Sequence, residues 1–254
     1  MPKYNKLSSK HVLIIGGTKG IGYGVAEAAI ENGARVTIMG SSRDSADTAV
    51  SNLRASYPLA QISGLSCDLS KPSVEADLEV AFQQAGQINH VVFTATNSLP
   101  GMVAVQNLTP EDIQAGHTRL CVTLIVAKLA ARHLPHDRDS SLTLTSGVVA
   151  EQPHPGCSLL AYLAEGTKGL VRALALDLKP LRTNVIEPGY VLDTGLWSGF
   201  TDEYLSTFRN SLAEKMPTGS AGMVEDVAEA YIYCMKDRNC TGEVVKTRSG
   251  QHLT

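Results

Sequence analysis

The sequence has few cysteines and no pattern that would pair them. Five occur in 254 residues, and no two of them form a Cys-x-x-Cys motif; they are Cys67, Cys121, Cys157, Cys234 and Cys240. An odd, scattered set argues against a disulfide framework. We expect reduced thiols in a cytoplasmic protein, and no metal site.

Long hydrophobic runs and basic clusters are also missing. No apolar run approaches the ~20 residues that cross a bilayer, and the first ten residues, MPKYNKLSSK, lack the apolar core of a signal peptide. The net charge is −3, with no basic run of the kind that neutralises nucleic-acid phosphates. These absences argue against membrane insertion, secretion and nucleic-acid binding, and favour a small-molecule partner.

What the chain does contain is an alternation of short apolar runs and amphipathic segments. The runs Val12–Ile15 and Val91–Phe93 are continuously apolar, as in strands that are covered on both faces. We therefore predict one α/β domain over residues 1–254, with a doubly wound parallel sheet of the Rossmann type. Strands are predicted near His11–Gly16, Ala34–Met39, Gln61–Cys67, Ile88–Ala95, Ser140–Ser146, Thr183–Glu187 and Gly242–Thr247.

Two long helical patterns and one irregular stretch stand out in the carboxyl-terminal half. Helices are predicted at about Pro110–Leu134 and Gly156–Leu178, as core or dimer helices. The stretch Leu192–Pro217 follows a strand end and departs from the short strand–helix rhythm. Because it contains four aromatic residues, we predict a lid over a substrate; they are Trp197, Phe200, Tyr204 and Phe208.

A glycine-rich turn follows the first predicted strand and precedes a helical pattern. Its motif glycines are Gly16, Gly20 and Gly22, with Gly17, Thr18, Lys19 and Ile21 between them. Backbone N–H groups at a helix amino terminus can approach a pyrophosphate closely only where no Cβ intervenes. Strand, glycine turn and helix in this order predict a dinucleotide site.

The end of the second predicted strand indicates which dinucleotide. An acidic residue there would bind the adenosine ribose and repel a 2′-phosphate, but the chain has Ser41, Ser42 and Arg43. Lys19 in the glycine turn can add positive charge. Arginine suits bidentate phosphate binding, so we predict NADP(H) rather than NAD(H). The alternative for Arg43 is an exposed residue in the first turn of the next helix.

Four landmarks in register resemble the short-chain dehydrogenase/reductase family: the glycine turn, Cys67–Ser70, Asn184–Gly189 and Gly219–Asp226. The resemblance implies that the two long helices form a homodimer or homotetramer interface. It also implies the cofactor contacts. Asp68 and Leu69 would flank the adenine, Ala95 would pack on it, and Pro188, Gly189, Val191 and Thr194 would border the nicotinamide.

The family's catalytic pattern is only partly present. Ser146 matches the catalytic serine, with an ordinary strand-end hydroxyl as the alternative. Alignment of the following helix places Leu160 at the catalytic tyrosine and Ala164 at the lysine, so both groups are missing. Tyr162 lies about 200° from Leu160 around a helix and should face away. Lys168, one turn after Ala164, is interpreted as a solvated helix residue, with a displaced catalytic lysine as the alternative.

Arg119 stands where the family has an asparagine on the preceding long helix. This resembles a divergent branch of the family in which an arginine replaces the asparagine and the tyrosine and lysine are lost. Ser41-Ser42 and the tract Leu176–Asn184 look like fungal members that are associated with specialised metabolism. The resemblance makes Arg119 the main candidate for a polar site group. A salt bridge on the helix surface is the alternative.

The loss of the tyrosine bears on the chemistry. Ketone reduction needs a proton donor, and general acid catalysis contributes ~10²–10⁴-fold. Reduction of an imine-type cation needs no proton in the same step. We therefore expect a reductase of an imine, an iminium ion or a carbonyl, with His154 as a candidate proton donor. Glu151 and Glu165 could stabilise a cation but are more typical of solvated positions. A non-redox isomerase or cyclase, or a cofactor-binding regulator, stays open.

Overall fold

The computed structural model describes residues 3–96, 102–197 and 199–254, without the side chain of Leu196. Seven parallel strands lie in the order β3-β2-β1-β4-β5-β6-β7. They are β1 His11–Ile15, β2 Arg35–Gly40, β3 Ile62–Ser66, β4 His90–Phe93, β5 Ser141–Thr145, β6 Arg182–Pro188 and β7 Val244–Thr247. The prediction of a doubly wound parallel sheet is confirmed, and the strand bounds agree to within a few residues.

Helices connect the strands on both faces of the sheet. In the described residues these are α1 Gly20–Glu31, α2 Arg43–Ser56, α3 Val74–Ala85, α4 Pro110–His133, α5 Ser158–Asp177, α6 Asp202–Lys215 and α7 Val224–Lys236. The two long predicted helices correspond to α4 and α5. None of the helices described is long and apolar enough to cross a membrane.

The core divides along the alternation of each strand. In β1, Val12 and Ile14 pack on one side with α1, α2 and α7, whereas Leu13 and Ile15 pack on the other with α3, α4 and α5. This is the pattern expected for strands buried on both faces. It explains why the apolar runs in the sequence are continuous.

The strand order reverses between β1 and β4, which places a crevice at their carboxyl ends. In open α/β sheets this switch point is where ligands bind. The predicted lid region lies after β6 and folds as a 3₁₀ turn, Gly195–Trp197, followed by α6. Its buried residues Leu192, Leu212 and Met216 form a small separate cluster with Ala221, which follows the region. Its covering role stays a prediction.

Candidate active site

The glycine turn lies at the crevice and leaves no room for side chains. Gly16 has φ +94°, and a Cβ there would be 2.4 Å from the Ala95 nitrogen. A Cβ on Gly22 would be 2.2 Å from the Gly16 carbonyl oxygen. Helix α1 begins directly after Lys19, whose side chain does not cap it, and its first turn contains no acidic residue. The cradle fits a pyrophosphate bound by backbone N–H groups.

The adenosine end of the site would lie beside the carboxyl ends of β2 and β3. Ser42 caps α2 by accepting a hydrogen bond from the Ser45 nitrogen at 3.3 Å. Arg43 begins α2, its side chain is 66% exposed, and its Nε donates to Asp47 at 2.8 Å. Arg43 is thus exposed in the first helical turn. The Asp47 carboxylate therefore neutralises part of the charge of Arg43.

After β3, the Asp68 carboxylate accepts hydrogen bonds from the Ser70 hydroxyl at 2.6 Å and the Ser70 nitrogen at 3.0 Å. These bonds lower the pKa of Asp68. Leu69 beside it is buried. The pair therefore has a fixed carboxylate and an apolar side chain at the carboxyl end of β3.

The opposite end of the site is formed by the segment after β6. Thr194 donates to the Val191 carbonyl at 3.1 Å. A Cβ on Gly20 would be 3.3 Å from the Thr194 Cβ, and one on Gly195 would be 2.9 Å from Lys19 Nζ. The glycine turn and the start of the lid region are therefore in contact. Lys19 extends along this contact.

Arg119 points from α4 toward the end of β4. Its guanidinium donates to the Ala95 carbonyl, and its Cζ lies 4.7 Å from the centre of the Phe93 ring. Burial lowers the pKa of Arg119 to about 10, so the group is still a cation at neutral pH. Within the described residues its partners are thus a carbonyl and a ring, not the carboxylate of a surface salt bridge. A partly buried cation lies at the mouth of the crevice.

Ser146 follows β5, and its hydroxyl donates to the Ala164 carbonyl at 2.8 Å. This bond joins the end of β5 to Ala164 of α5, the residue that the sequence alignment predicts at the position of the family's lysine. The hydroxyl proton is engaged, so Ser146 can offer a ligand its lone pairs. Tyr162 on the same helix is 65% exposed, in agreement with the helical geometry predicted from the sequence.

His154 contacts a residue that the sequence analysis missed. Its Nε2 lies 2.5 Å from the hydroxyl of Tyr190, and the two rings are stacked with centres 6.3 Å apart. Burial raises the pKa of Tyr190. Tyr190 also packs edge-on against Phe208 of α6 and lies near Trp197. The sequence could have indicated Tyr190 as a site residue, because it directly follows Pro188-Gly189.

The interpretation of Lys168 as a solvated residue is wrong. Its side chain is 3% exposed, and its Nζ pairs with Glu187 at 2.5 Å, Glu165 at 3.0 Å and Glu151 at 3.1 Å. Burial lowers the pKa of Lys168, but the hydrogen bonds to these carboxylates outweigh it and raise the pKa overall. Glu165 is 56% exposed, whereas Glu151 also contacts Arg248. Lys168 is therefore paired with carboxylates in a charge network, and it does not act as a displaced catalytic lysine.

Comparison with known proteins identifies the family. A family model described as an SDR-like Rossmann domain matches residues 3–254. The chain therefore belongs to the short-chain dehydrogenase/reductase family, which comprises oxidoreductases that bind a nicotinamide cofactor and act on small molecules.

Fungal relatives align over nearly the whole chain. Short-chain dehydrogenase/reductase malC of Malbranchea aurantiaca is 40% identical, covering 97% of this chain and 96% of that protein. Short-chain dehydrogenase/reductase fsr5 of Gibberella fujikuroi is 38% identical, covering 98% and 97%. The solved structure of MalC, described as a reductase/Diels-Alderase, superposes with a TM-score of 0.91 at 39% identity and covers 99% of both chains.

A more distant structure shares the fold. A short-chain oxidoreductase of Pseudomonas aeruginosa, described as containing an atypical catalytic center, superposes with a TM-score of 0.84 at 23% identity, covering 96% of this chain and 97% of that one.

Proposed function

We propose that the protein is an NADP(H)-dependent reductase of a small specialised metabolite that carries an imine, an iminium ion or a carbonyl. The observation that carries this proposal is the pairing of an intact glycine cradle with a site that lacks the tyrosine and lysine, at Leu160 and Ala164. The cofactor would supply a hydride. The fungal relatives, including one described as a reductase/Diels-Alderase, support the reading.

The residues that would hold the cofactor follow from the crevice. Backbone N–H groups of the glycine turn would bind the pyrophosphate, and Asp68, Leu69 and Ala95 would border the adenine. Pro188, Gly189, Val191 and Thr194 would border the nicotinamide end. Since the carboxyl end of β2 presents hydroxyls and Arg43 in place of a carboxylate, the site favours a 2′-phosphate.

Three side chains are proposed to act on the substrate. Arg119, held against Ala95 and Phe93, would orient or polarise the reacting group with its buried charge. Ser146 would accept a hydrogen bond from the substrate. His154, in contact with Tyr190, would supply a proton when the substrate is a carbonyl. An iminium substrate would need a pocket that tolerates its positive charge, but no proton in the same step.

A second candidate is a non-redox isomerase or cyclase that uses the cofactor fold as a scaffold. The missing tyrosine–lysine pair favours it, and so does the description of MalC as a Diels-Alderase. A cofactor-binding regulator is a third candidate, which the aromatic cluster of Tyr190, Trp197 and Phe208 disfavours because apolar walls suit a small-molecule pocket. A metabolite screen that follows NADPH oxidation and product mass together separates the three.

The cofactor preference is tested by titrating NADPH and NADH against wild type and Arg43→Ala. Wild type should bind NADPH more tightly, and Arg43→Ala should narrow the difference by about tenfold, the scale of one charge-assisted hydrogen bond. Arg54→Ala, which removes an arginine from the other end of α2, is the control. Equal affinities in wild type would refute the 2′-phosphate proposal. If Arg43→Ala still prefers NADPH over NADH by the wild-type ratio, Lys19 and Ser42 would be the residues that bind the 2′-phosphate.

We also propose a homodimer or homotetramer built on α4 and α5. These helices expose Ile113, Leu124 and Tyr162 by 56%, 52% and 65%, which leaves apolar surface for a second copy to cover. Light scattering at micromolar concentration should show an oligomer. A monomer would contradict the proposal.

A reducing compartment, the cytoplasm, suits the cysteines. All five are free, and four of them are buried in the structure. A thiol titration of the protein purified without reductant should find five free groups. Recovery of a disulfide would count against cytoplasmic residence.

A further inference from the structure

The buried charges around Lys168 form a closed ring. Lys168 pairs with Glu187 at 2.5 Å, Glu187 with Arg248 at 2.8 Å, Arg248 with Glu151 at 2.8 Å, and Glu151 with Lys168 at 3.1 Å. The signs alternate around the ring, so each carboxylate bridges the same two cations. Lys246 adds a contact to Glu151 at 2.5 Å.

This ring is an unexpected use of buried charge. The side chains of Glu187, Lys168 and Arg248 are only 0%, 3% and 5% exposed. Removing charges from water is costly, and apolar side chains of similar volume often stabilise a core as well as an ion pair does. Stability alone therefore does not account for the ring. The ion pairs of the ring also connect the chain segments that carry its members.

The ring joins four segments that surround the proposed site. Lys168 lies on α5, and Arg248 directly follows β7. Glu187 immediately precedes Pro188-Gly189, which border the nicotinamide end in the proposed function. Glu151 lies three residues before His154 in the segment between β5 and α5. The ring is thus one residue from the cofactor-bordering turn and three from the proposed proton donor.

Glu151 is the member that connects this segment to the rest of the ring. Hydrogen bonds from Lys246 and Arg248 lower the pKa of Glu151 to about 2, so it is charged throughout the neutral range. Nearby, Gln152 Nε2 donates weakly to the Gln251 carbonyl at 3.3 Å, and His154 is itself exposed. Without the Glu151 carboxylate, the segment would lose its three charged contacts.

We propose that Glu151 is a positioning residue: its carboxylate ties residues 147–157 to the buried ring and so holds His154 against Tyr190 beside Pro188-Gly189. The inference rests on the proposed function for its catalytic consequence only. Lys168, which lies on α5 one turn after Ala164, then helps to fix the geometry of the site and does not transfer a proton.

The test compares Glu151→Gln with Glu165→Gln. Both remove one carboxylate partner of Lys168, at 3.1 and 3.0 Å, but only Glu151 lies outside α5 and holds the segment. Amide hydrogen exchange is measured in the protein without cofactor. Glu151→Gln should speed exchange across residues 148–156 by about tenfold, the range of a local opening, while Glu165→Gln should match wild type. Equal exchange in the two variants would overturn the proposal.

The catalytic readout is separate. With a carbonyl substrate, Glu151→Gln should lower kcat by about 10–100-fold, because small misplacements of a reacting group cost this much. Its affinity for NADPH should stay within about twofold, since no ring member bonds the glycine turn. Glu151→Asp, which keeps the charge on a shorter stem, should recover part of kcat. A parallel loss of kcat, NADPH affinity and melting temperature would show a merely structural role and refute positioning.

The two proposals fail in different ways. If wild type oxidises no NADPH with any substrate, the proposed function fails, whereas the exchange comparison still decides the role of Glu151. If Glu151→Gln does not fold, the exchange comparison is made between Glu151→Asp and Glu165→Asp. Because aspartate keeps the charge on a shorter stem, we then expect faster exchange across residues 148–156 in Glu151→Asp only, by less than about tenfold, and equal exchange in the two variants would again overturn the proposal.

Discussion

The glycine turn after β1 and the segment from β5 into α5 differ in what determines the residue type at each position. In the turn, Gly16 and Gly22 leave less than 2.5 Å for a Cβ, so the backbone itself sets the residue type. In the second segment the proposed alignment puts Leu160 and Ala164 at the tyrosine and lysine positions, and α5 is intact over Ser158–Asp177. In the proposed function, cofactor binding restricts the backbone of the glycine turn. The proposed reaction instead depends on side chains, which can be replaced without loss of the helix.

The largest expected effect tests the catalytic side of this comparison. Arg119→Ala should lower turnover by about 10²–10³-fold, the loss typical for removal of a charge-stabilising donor, because Arg119 would hold or polarise the substrate. Affinity for NADPH, measured by fluorescence titration, should persist. Arg172→Ala, on an exposed position of α5, is the control. Turnover retained in Arg119→Ala would remove the residue from the mechanism.

A smaller loss is expected on the cofactor side. Gly22→Ala would place a Cβ 2.2 Å from the Gly16 carbonyl oxygen. The strain should weaken NADPH binding by about 10–100-fold, since overpacking typically costs 1–3 kcal/mol. Gly169→Ala is the matched control, because nothing lies within 4 Å of its Cβ. If both variants bind NADPH like wild type, the turn is not the pyrophosphate site.

The sequence predicts the structure of the glycine turn better than it predicts the contacts of the segment from β5 into α5. Continuous apolar runs and the spacing of Gly16, Gly20 and Gly22 predicted the sheet and the turn, because these depend on local backbone requirements. The burial of Lys168 was not readable. Its partners Glu151 and Glu187 lie 17 and 19 residues away on other segments, and spacing along α5 alone suggested a solvated face. Tyr190 was missed because its role depends on contact with His154.

Acid should destabilise the fold through a histidine that is buried in the sheet. His90 is fully buried, with Nδ1 2.9 Å from the Ser141 hydroxyl, and burial lowers its pKa to about 3. Native His90 is neutral, so its stabilising contribution is complete above pH ~6.5 and falls by up to ~1.4 kcal/mol per pH unit as the unfolded chain protonates below that. Burial lowers the pKa of His11 as well, which adds to the slope.

Urea unfolding between pH 6.5 and 5 measures this effect, within the window set by the ordinary pKa of histidine, about 6.5. His90→Asn should reduce the slope of the unfolding free energy against pH, whereas His252→Asn, at an exposed position, should leave it unchanged. A wild-type stability that is flat over this window would contradict the assignment.

The smallest effect concerns the remaining tyrosine of α5. Tyr162 is 65% exposed, so Tyr162→Phe should alter turnover by less than about twofold, as surface substitutions usually do. The measurement is kcat/KM beside that of wild type. Abolished turnover in a folded Tyr162→Phe would mean that the alignment of α5 is wrong and that tyrosine-based carbonyl reduction is the mechanism.

We propose that the chain binds NADP(H) at the glycine turn and reduces its substrate without the family's catalytic tyrosine. The most direct measurement follows NADPH oxidation and product mass in one reaction of the wild-type protein with candidate metabolites. The account predicts one NADPH oxidised for each product formed, with the product heavier by a hydride, or by a hydride and a proton. A product isomeric with its substrate, formed while NADPH is unchanged, would contradict it and establish non-redox turnover.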